Sequence, residues 1–308
     1  MKQIVLLILL GLSVKLGWSQ NCDIQLVPIV TPSADGSYYP QVVNFLTNRL
    51  RVLTSQSTNT SGLVSDQFAI AVSYDILDKQ IIAGSPIKIV YDLNLSLFIL
   101  NINDEKIYAS YSKVLKGVGD NESKSLINAF RKLSIENNDI RLFVQSGRER
   151  ILDYFDNNYQ NIIRTAQTLS AMKNYDAAIT KLMAVPECCV GYESVLNELK
   201  NTYQNFVNQH CEENLAQAKA AWVASPNIDG ASIAGVYLSE IYPDASCFQD
   251  AMNLYKEIQR KIGEEWKFVM RQWEDNLKLE QLRINAMREI AIAHVQAKPK
   301  ETINIFWK

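Results

Sequence analysis

The sequence predicts an α+β fold in which a small domain built on an antiparallel sheet precedes an all-α region with a long C-terminal helix. Residues 87–101 alternate apolar and polar side chains, the period of a half-buried strand. From about residue 145 onward, apolar side chains recur at the three- to four-residue spacing of helices. The chain has 308 residues and is 47% hydrophobic, which suffices for two folded units or one large one.

The first residues have the pattern of a secretory signal peptide. Lys2 precedes an apolar run over residues 4–14, and Gly17-Trp18-Ser19 provides a small-x-small exit. We therefore predict a signal peptide over residues 1–19 and a periplasmic or secreted mature chain. An N-terminal anchor or a buried strand is the alternative. Lipidation of Cys22 would attach the chain to a membrane, but Ser19-Gln20-Asn21 is a poor lipobox.

Residues 20–140 are predicted to form the α+β domain. A first strand covers residues 24–30, and Pro40 opens a helix. The apolar positions of this helix are Val42, Val43, Leu46, Leu50 and Leu53. Another strand follows over residues 68–74. The alternating strand at 87–101 turns at Asn103 and returns over residues 106–118 as its hairpin partner. Asp120 or Asn121 then caps a helix.

This order of elements resembles a known group of envelope proteins. The first strand with its helix, the hairpin over 86–110, and Lys116-Gly117-Val118-Gly119 before Glu122-Ser123-Lys124 carry the resemblance. They are similar to the periplasmic domain shared by the curli-secretion lipoprotein, the lipoprotein activators of penicillin-binding proteins and the N-terminal domain of the Tol translocation protein. The resemblance implies a non-enzymatic module that docks on proteins. The lipobox cysteine and the transmembrane hairpin of the secretion-channel type are missing.

Residues 141–298 are predicted to be helical. Two successive pairs, each a long helix followed by a short one, resemble degenerate tetratricopeptide repeats. The residues that carry the resemblance are Ala166, Leu169, Tyr175, Ala177, Ala178, Leu182 and Pro186, then Ala216, Ala220, Trp222, Ala234, Gly235, Val236, Leu238 and Pro243. A plain helical bundle is the alternative, because two repeats are fewer than a stable solenoid normally needs.

The last part of this region predicts one long helix over residues 247–296. Its apolar stripe would extend over about 75 Å, more than a domain of this size covers. The stripe is therefore a predicted partner-binding surface, with Trp266, Val269, Trp273 and Leu277 as its exposed part. A break near Gly263 that folds the helix back on its own subunit is the alternative.

An extended tail over residues 299–308 follows Pro299. Its aromatic residues Phe306 and Trp307 are predicted to bind a partner, by adding a strand to a sheet or filling a pocket. Pairing of the tail with the protein's own sheet is the alternative.

Export makes disulfides permissible. The five cysteines are Cys22, Cys188, Cys189, Cys211 and Cys247, an odd number that leaves at least one free or paired outside the chain. The last four are candidates for a disulfide or for buried free thiols, and their spacing fixes no connectivity.

The residues that usually perform catalysis are scarce. The only histidines are His210 and His294, and no G-x-S-x-G, H-E-x-x-H, P-loop or EF-hand pattern occurs. Glu122 stands where the third glycine of a dinucleotide fingerprint would follow Gly117 and Gly119, so these glycines are expected to permit a tight exit from the strand. A net charge of −2 argues against nucleic-acid binding. No catalytic residue, cofactor or metal ligand is predicted.

These observations favour a non-enzymatic interaction or scaffold protein of the cell envelope that binds other envelope proteins. An alternative is a structural subunit that self-associates through its long helix. A secreted hydrolase that uses carboxylates ranks third. No later run reaches about eighteen apolar residues, so no transmembrane span is predicted after signal removal.

Overall fold

The computed structural model describes residues 24–31, 39–54, 67–134, 137–263, 266 and 279–297. Within these ranges the order is β1 (Val27–Val30), α1 (Pro40–Thr54), β2 (Phe68–Ile82), β3 (Lys88–Asn101), β4 (Ile107–Gly119), α2 (Glu122–Phe130), α3 (Asn138–Ala171), α4 (Tyr175–Met183), α5 (Tyr192–Ala224), α6 (Ile228–Ser239), α7 (Phe248–Ile262) and α8 (Leu279–Ala297). The α+β class with a helical C-terminal region is confirmed. No helix among the described residues combines the length and hydrophobicity that a membrane crossing needs. The predicted signal peptide, Cys22 and the tail lie outside the described residues.

The sheet is mixed, with the strand order β1-β2-β3-β4. The predicted antiparallel pairing holds for β2, β3 and β4. In contrast, β1 pairs with β2 in parallel, because α1 carries the chain across the sheet between them.

The two faces of the sheet differ as the alternation in β3 predicts. Tyr91, Leu93, Leu95, Leu97 and Ile99 are buried in the main hydrophobic core. The opposite face carries a polar row in which Ser96 and Ser112 Oγ atoms lie 3.2 Å apart, and Ser112 donates to Asn94 Oδ1 at 2.9 Å.

The helix α3 belongs to the core of both halves. Its 34 residues span about 50 Å. Gly147 in its first half lies against Ile99, so close that a Cβ would approach the Ile99 side chain to 2.1 Å. Further along, Phe155 packs edge-on against Phe68 of β2 with ring centroids 5.9 Å apart. One hydrophobic core therefore runs from the sheet into the helices.

Two helix pairs, α3–α4 and α5–α6, end in loops of the same construction. In the loop after α4, the backbone N–H of Cys189 donates to the carbonyl oxygen of Pro186. In the loop after α6, the backbone N–H of Ala245 donates to the carbonyl oxygen of Tyr242. A polar side chain of the preceding long helix caps each loop: Asp156 accepts from Val190 N at 2.8 Å. Asn208 accepts from Ser246 N at the same distance. The helical region thus contains a structural repeat, and its tetratricopeptide relationship stays a prediction.

The prediction of a single helix over residues 247–296 is wrong. The helix α7 ends at Ile262, where Gly263 adopts a φ of 78°, a left-handed value that glycine tolerates and other residues rarely adopt. The next described helix, α8, packs on α4 of the same subunit. The alternative of a break near Gly263 is confirmed. This arrangement buries apolar residues of both helices within the subunit, including Leu254, Ile258, Met287 and Ile290.

The glycines of the β4–α2 segment allow a close approach of helix to strand. A Cβ on Gly117 would lie 2.1 Å from the Ser125 carbonyl oxygen and 2.8 Å from Ala129 Cβ. The Ser125 hydroxyl donates to the Gly117 carbonyl at 2.9 Å. Neither Gly117 nor Gly119 has a positive φ. The two glycines therefore allow α2 to pack closely on β4. The sequence had instead predicted that they permit a tight exit from the strand.

We expect Gly117→Ala to lower the free energy of unfolding by about 1–3 kcal/mol, because α2 must shift to admit the methyl group. Gly84→Ala is the matched control: its Cβ would approach no atom closer than 3.4 Å, and we expect a change within about 0.5 kcal/mol. Urea unfolding measures both. Equal stabilities for the two variants would contradict the packing role of Gly117.

Candidate docking surface

The tip of the β2–β3 hairpin exposes an unusual group of aliphatic side chains. We define the hairpin tip as residues 77–89. Leu77, Ile81, Ile82 and Ile87 are each more than half exposed there, with Ile81 at 66%. Single exposed aliphatic residues are ordinary on protein surfaces, but several on one short ribbon indicate an interaction site.

One edge of β2 lies open beside these side chains. Among the described residues, β1 pairs with this edge over Ala69–Val72, and the N–H of Thr31 then donates to Val72 O at 3.1 Å. Along the residues that the structure describes, no strand pairs with this edge from Asp75 to Ile82. The backbone donors and acceptors of an open edge are a template for another strand.

A polar cluster fixes the hairpin tip to the start of α2. Lys79 and the Tyr39 hydroxyl both donate to the Glu122 carboxylate. The Lys79 ammonium also lies 5.7 Å from the centroid of the Tyr91 ring. The hydrogen bond from Lys79, and then that from Tyr39, hold the pKa of Glu122 below its usual value. Glu122 is therefore ionised at neutral pH, which suits a positioning ion pair and not a general acid.

A second ion pair holds the other strand of the hairpin. Lys88 at the start of β3 donates to Asp120, and Lys124 Nζ lies 3.5 Å from the same carboxylate. The hydrogen bond from Lys88 lowers the pKa of Asp120. Asn121 next to it caps α2 by accepting from Lys124 N at 2.8 Å. Both strands of the hairpin are thus fixed at the same end of α2.

An open cleft of about 510 Å³ adjoins this cluster, between the first residues of α1 and α2. Its lining includes Tyr39, Gln41 and Glu122. The cleft and the hairpin tip therefore form one continuous end of the sheet layer, with aliphatic, hydroxyl and charged groups side by side.

Both histidines have structural contacts in the helical half. The His210 ring stacks on Phe206 with centroids 5.5 Å apart. His294 Nδ1 of α8 lies 2.7 Å from Asp176 Oδ2 at the start of α4. His210 and Asp176 line the same small pocket of about 90 Å³. Within the described ranges, no three or more His, Cys, Asp or Glu side chains are arranged to hold a metal ion.

The cysteines divide into bonded and free ones. Cys211 in α5 forms a disulfide with Cys247, just before α7, and Cys188 is disulfide-bonded as well. Cys189 is free and buried. Burial, and then a hydrogen bond with Asp156, raise the pKa of its thiol to about 11, so it is a poor nucleophile at neutral pH. The sequence left a disulfide and buried free thiols open as alternatives, and this region contains both the Cys211–Cys247 bridge and the free thiol of Cys189.

Most of the predicted partner-binding residues lie outside the described residues, namely Val269, Trp273, Leu277, Phe306 and Trp307. Trp266 is described and is buried, with its ring 5.2 Å from that of Tyr255. It thus contributes to the protein's own core, and a partner contact through it stays a prediction.

The hairpin tip was missed in the sequence, where the second strand was predicted to end at residue 74. A β-bulge between Ile76 and Asp78 shifts the alternation by one residue, so the pattern of two is lost at that point. The aliphatic residues on either side of Ser85-Pro86 were the available signal.

No protein-family model matches the chain, and no curated protein is significantly similar to it.

Proposed function

We propose that this chain is an exported, non-enzymatic docking protein of the cell envelope that binds a partner through its hairpin tip. The observation that carries the proposal is the open β2 edge from Asp75 to Ile82 with exposed aliphatic side chains along it. The likeness to envelope docking domains in the order of elements is a further, weaker support.

Within the part of the chain that the structure describes, no strand pairs with this edge, and this indicates the kind of partner. An extended segment of another protein can pair with β2 as an added strand, with Leu77 and Ile81 in contact with its alternate side chains. Backbone pairing supplies affinity and the side-chain contacts supply selectivity.

Charges and the bulge restrict which strands can pair. Asp75 and Asp78 stand on either side of the bulged position, and Lys79 is engaged by Glu122. Bulges and charged residues are devices by which natural edge strands avoid indiscriminate pairing. The edge therefore favours a partner strand that has a matching bulge and complementary charges, and it disfavours pairing with other strands and aggregation.

Export is supported by the cysteines and by the leader pattern. A structural disulfide such as Cys211–Cys247 is typical of proteins in an oxidising compartment, such as a periplasm or the cell exterior. A non-enzymatic role is supported by the structural use of three charged groups near the cleft whose pKa values are shifted. Glu122, Asp120 and Lys79 stabilise the hairpin tip through ion pairs at the protein surface.

The test compares two variants of matched exposure in affinity capture from envelope extract of the native host. Ile81→Asp places a charge on the hairpin tip, and Val236→Asp places one on α6, where Val236 is 63% exposed. We expect Ile81→Asp to reduce recovery of the captured partner at least tenfold and Val236→Asp to leave it unchanged, with unchanged circular dichroism for both. Equal recovery with Ile81→Asp and the wild type would refute docking through the tip.

A further inference from the structure

The bonded state of Cys188 leaves one candidate for its partner within the chain. Cys188 is disulfide-bonded. Cys211 and Cys247 are bonded to each other, and Cys189 is a free thiol. Of the five cysteines in the sequence, these assignments leave Cys22. The question is then whether the described residues bring the segment before β1 close to the loop of Cys188.

The sheet directs the chain before β1 toward that loop. The strand β1 runs parallel to β2 with Val27 beside Ala69, so the chain enters β1 at the end of the sheet where β2 begins. At this end Gln67 Nε2 donates to the Ala184 carbonyl oxygen at 2.7 Å. Ala184 caps the C-terminus of α4 and precedes Cys188 by four residues. The start of β1 and the loop after α4 therefore adjoin the same end of β2.

The helix α3 holds both segments within reach of a disulfide. Arg148 Nε donates to the Ile24 carbonyl oxygen at 3.1 Å, and Asp156 Oδ1 accepts from Val190 N at 2.8 Å. Arg148 and Asp156 are eight residues apart, a rise of about 12 Å along the helix. Ile24 and Val190 each stand two residues from one of the two cysteines, and two residues of chain reach at most about 7 Å. With a Cα–Cα separation of about 5–6 Å in the bond itself, a disulfide fits between the anchored segments.

The neighbouring thiol of Cys189 is a poor competitor for the same partner. Its side chain belongs to the hydrophobic core and is only 4% exposed. Burial, and then the hydrogen bond with Asp156, raise the pKa of this thiol to about 11. Because the thiolate is the form that attacks a disulfide, Cys189 is nearly inert toward exchange at neutral pH.

We propose that Cys22 and Cys188 form a second disulfide, which joins the segment before β1 to the loop after α4 and occupies the thiol that a lipid anchor at Cys22 would require. Its formation removes two protons and two electrons from the two thiols, and a protein disulfide of the export compartment accepts them by thiol–disulfide exchange. The crosslink connects the sheet domain to the helical region. It shares with the proposed function only the premise of export.

The experiment counts and maps the thiols of the full chain, expressed in its native host and purified without reductant. The protein is denatured and alkylated with iodoacetamide, with and without prior reduction, and its mass is measured. We expect one alkylated cysteine without reduction, Cys189, and five after it. Without reduction, a tryptic digest is expected to contain the peptide of Cys22 linked to peptide 182–200, which carries Cys188.

Three variants assign the link. Cys189→Ser is expected to keep the linked peptide and to lose the one alkylated thiol; if this variant does not fold, fragmentation between residues 188 and 189 of the wild-type peptide makes the same assignment. Cys22→Ala is expected to lose the linked peptide and to raise the count of alkylated cysteines from one to two. The control, Cys211→Ala/Cys247→Ala, is expected to keep the linked peptide.

Alkylation of Cys22 without reduction, a lipid mass on Cys22, or a bond from Cys188 to a second chain would overturn the proposal. The Cys211–Cys247 bridge reports separately on export. If that bridge forms while Cys22 stays free, the second disulfide is refuted and the proposed function is untouched. If neither bridge forms, the premise of export fails for both.

Discussion

Replacing Cys211 and Cys247 together by alanine is expected to lower the free energy of unfolding by about 4 kcal/mol. The disulfide joins positions 36 residues apart, and closing a loop of that length restricts the unfolded chain by about this amount. The bond also fixes the end of the α5–α6 unit, because Cys211 is fully buried in α5 and Cys247 precedes α7. In the first unit the equivalent loop uses a different contact, with Gly191 against the Tyr159 ring.

Urea unfolding under non-reducing conditions measures this loss, and Cys189→Ala is the matched control. It removes a buried sulfur from the equivalent loop without breaking a bond, so we expect a loss of about 1 kcal/mol. A loss below about 1 kcal/mol for the Cys211→Ala/Cys247→Ala protein would contradict the crosslink as a main support of the helical region.

Arg283→Met is expected to lower stability by about 2–3 kcal/mol, because it leaves a nearly enclosed carboxylate without its charged hydrogen-bond donor. The Asp244 side chain is almost fully enclosed, while that of Arg283 is 32% exposed. Tyr203 lies beside this carboxylate, and burial, followed by the Asp244 charge, raises the pKa of Tyr203. Without Arg283 the negative charge of Asp244 remains in a poorly solvated site.

Removal of the arginine and removal of the aspartate should cost different amounts of stability. Asp244→Asn leaves an arginine that can turn toward solvent, so its cost should be smaller than that of Arg283→Met. The double variant Arg283→Met/Asp244→Asn should recover part of the loss, since no unpaired charge is left. Thermal and urea unfolding of the three proteins measure this cycle. Additive losses in the double variant would show that the two side chains do not interact.

The α+β class followed from local patterns in the sequence. Alternation in β3 predicted one buried face because the side-chain period of a strand survives wherever one face is covered. The helix from Pro40 and a cap at Asp120 or Asn121 were predictable for the same reason, since fixed φ and side-chain capping are local properties, and the structure has the cap at Asn121.

Other features depended on tertiary contacts that no local pattern specifies. The period of α7 continues past Gly263, so the apolar stripe alone could not show that the chain turns there. The Arg283–Asp244 and His294–Asp176 pairs join residues far apart in the sequence. The parallel pairing of β1 likewise follows from the crossover of α1, which the pattern of a four-residue strand does not encode.

The candidate site was the least predictable part. Among the described residues, β1 pairs with β2 only as far as Val72, while β2 continues to Ile82. Exposure of Leu77 and Ile81 is therefore a result of unequal strand lengths. A sequence pattern gives the length of a strand only to within a few residues. In β2 the bulge after Ile76 also interrupts the alternation, so its true length was hidden.

The most direct test of docking through the β2 edge is site-specific photo-cross-linking in the native host. A photoreactive amino acid is placed at Ile81 in one protein and at Val236 in another, and cross-linked products are identified by mass spectrometry. We expect a discrete adduct with one partner protein from position 81, located on an extended segment of that partner, and none from position 236. No adduct at position 81, or the same adducts from both positions, would contradict the account.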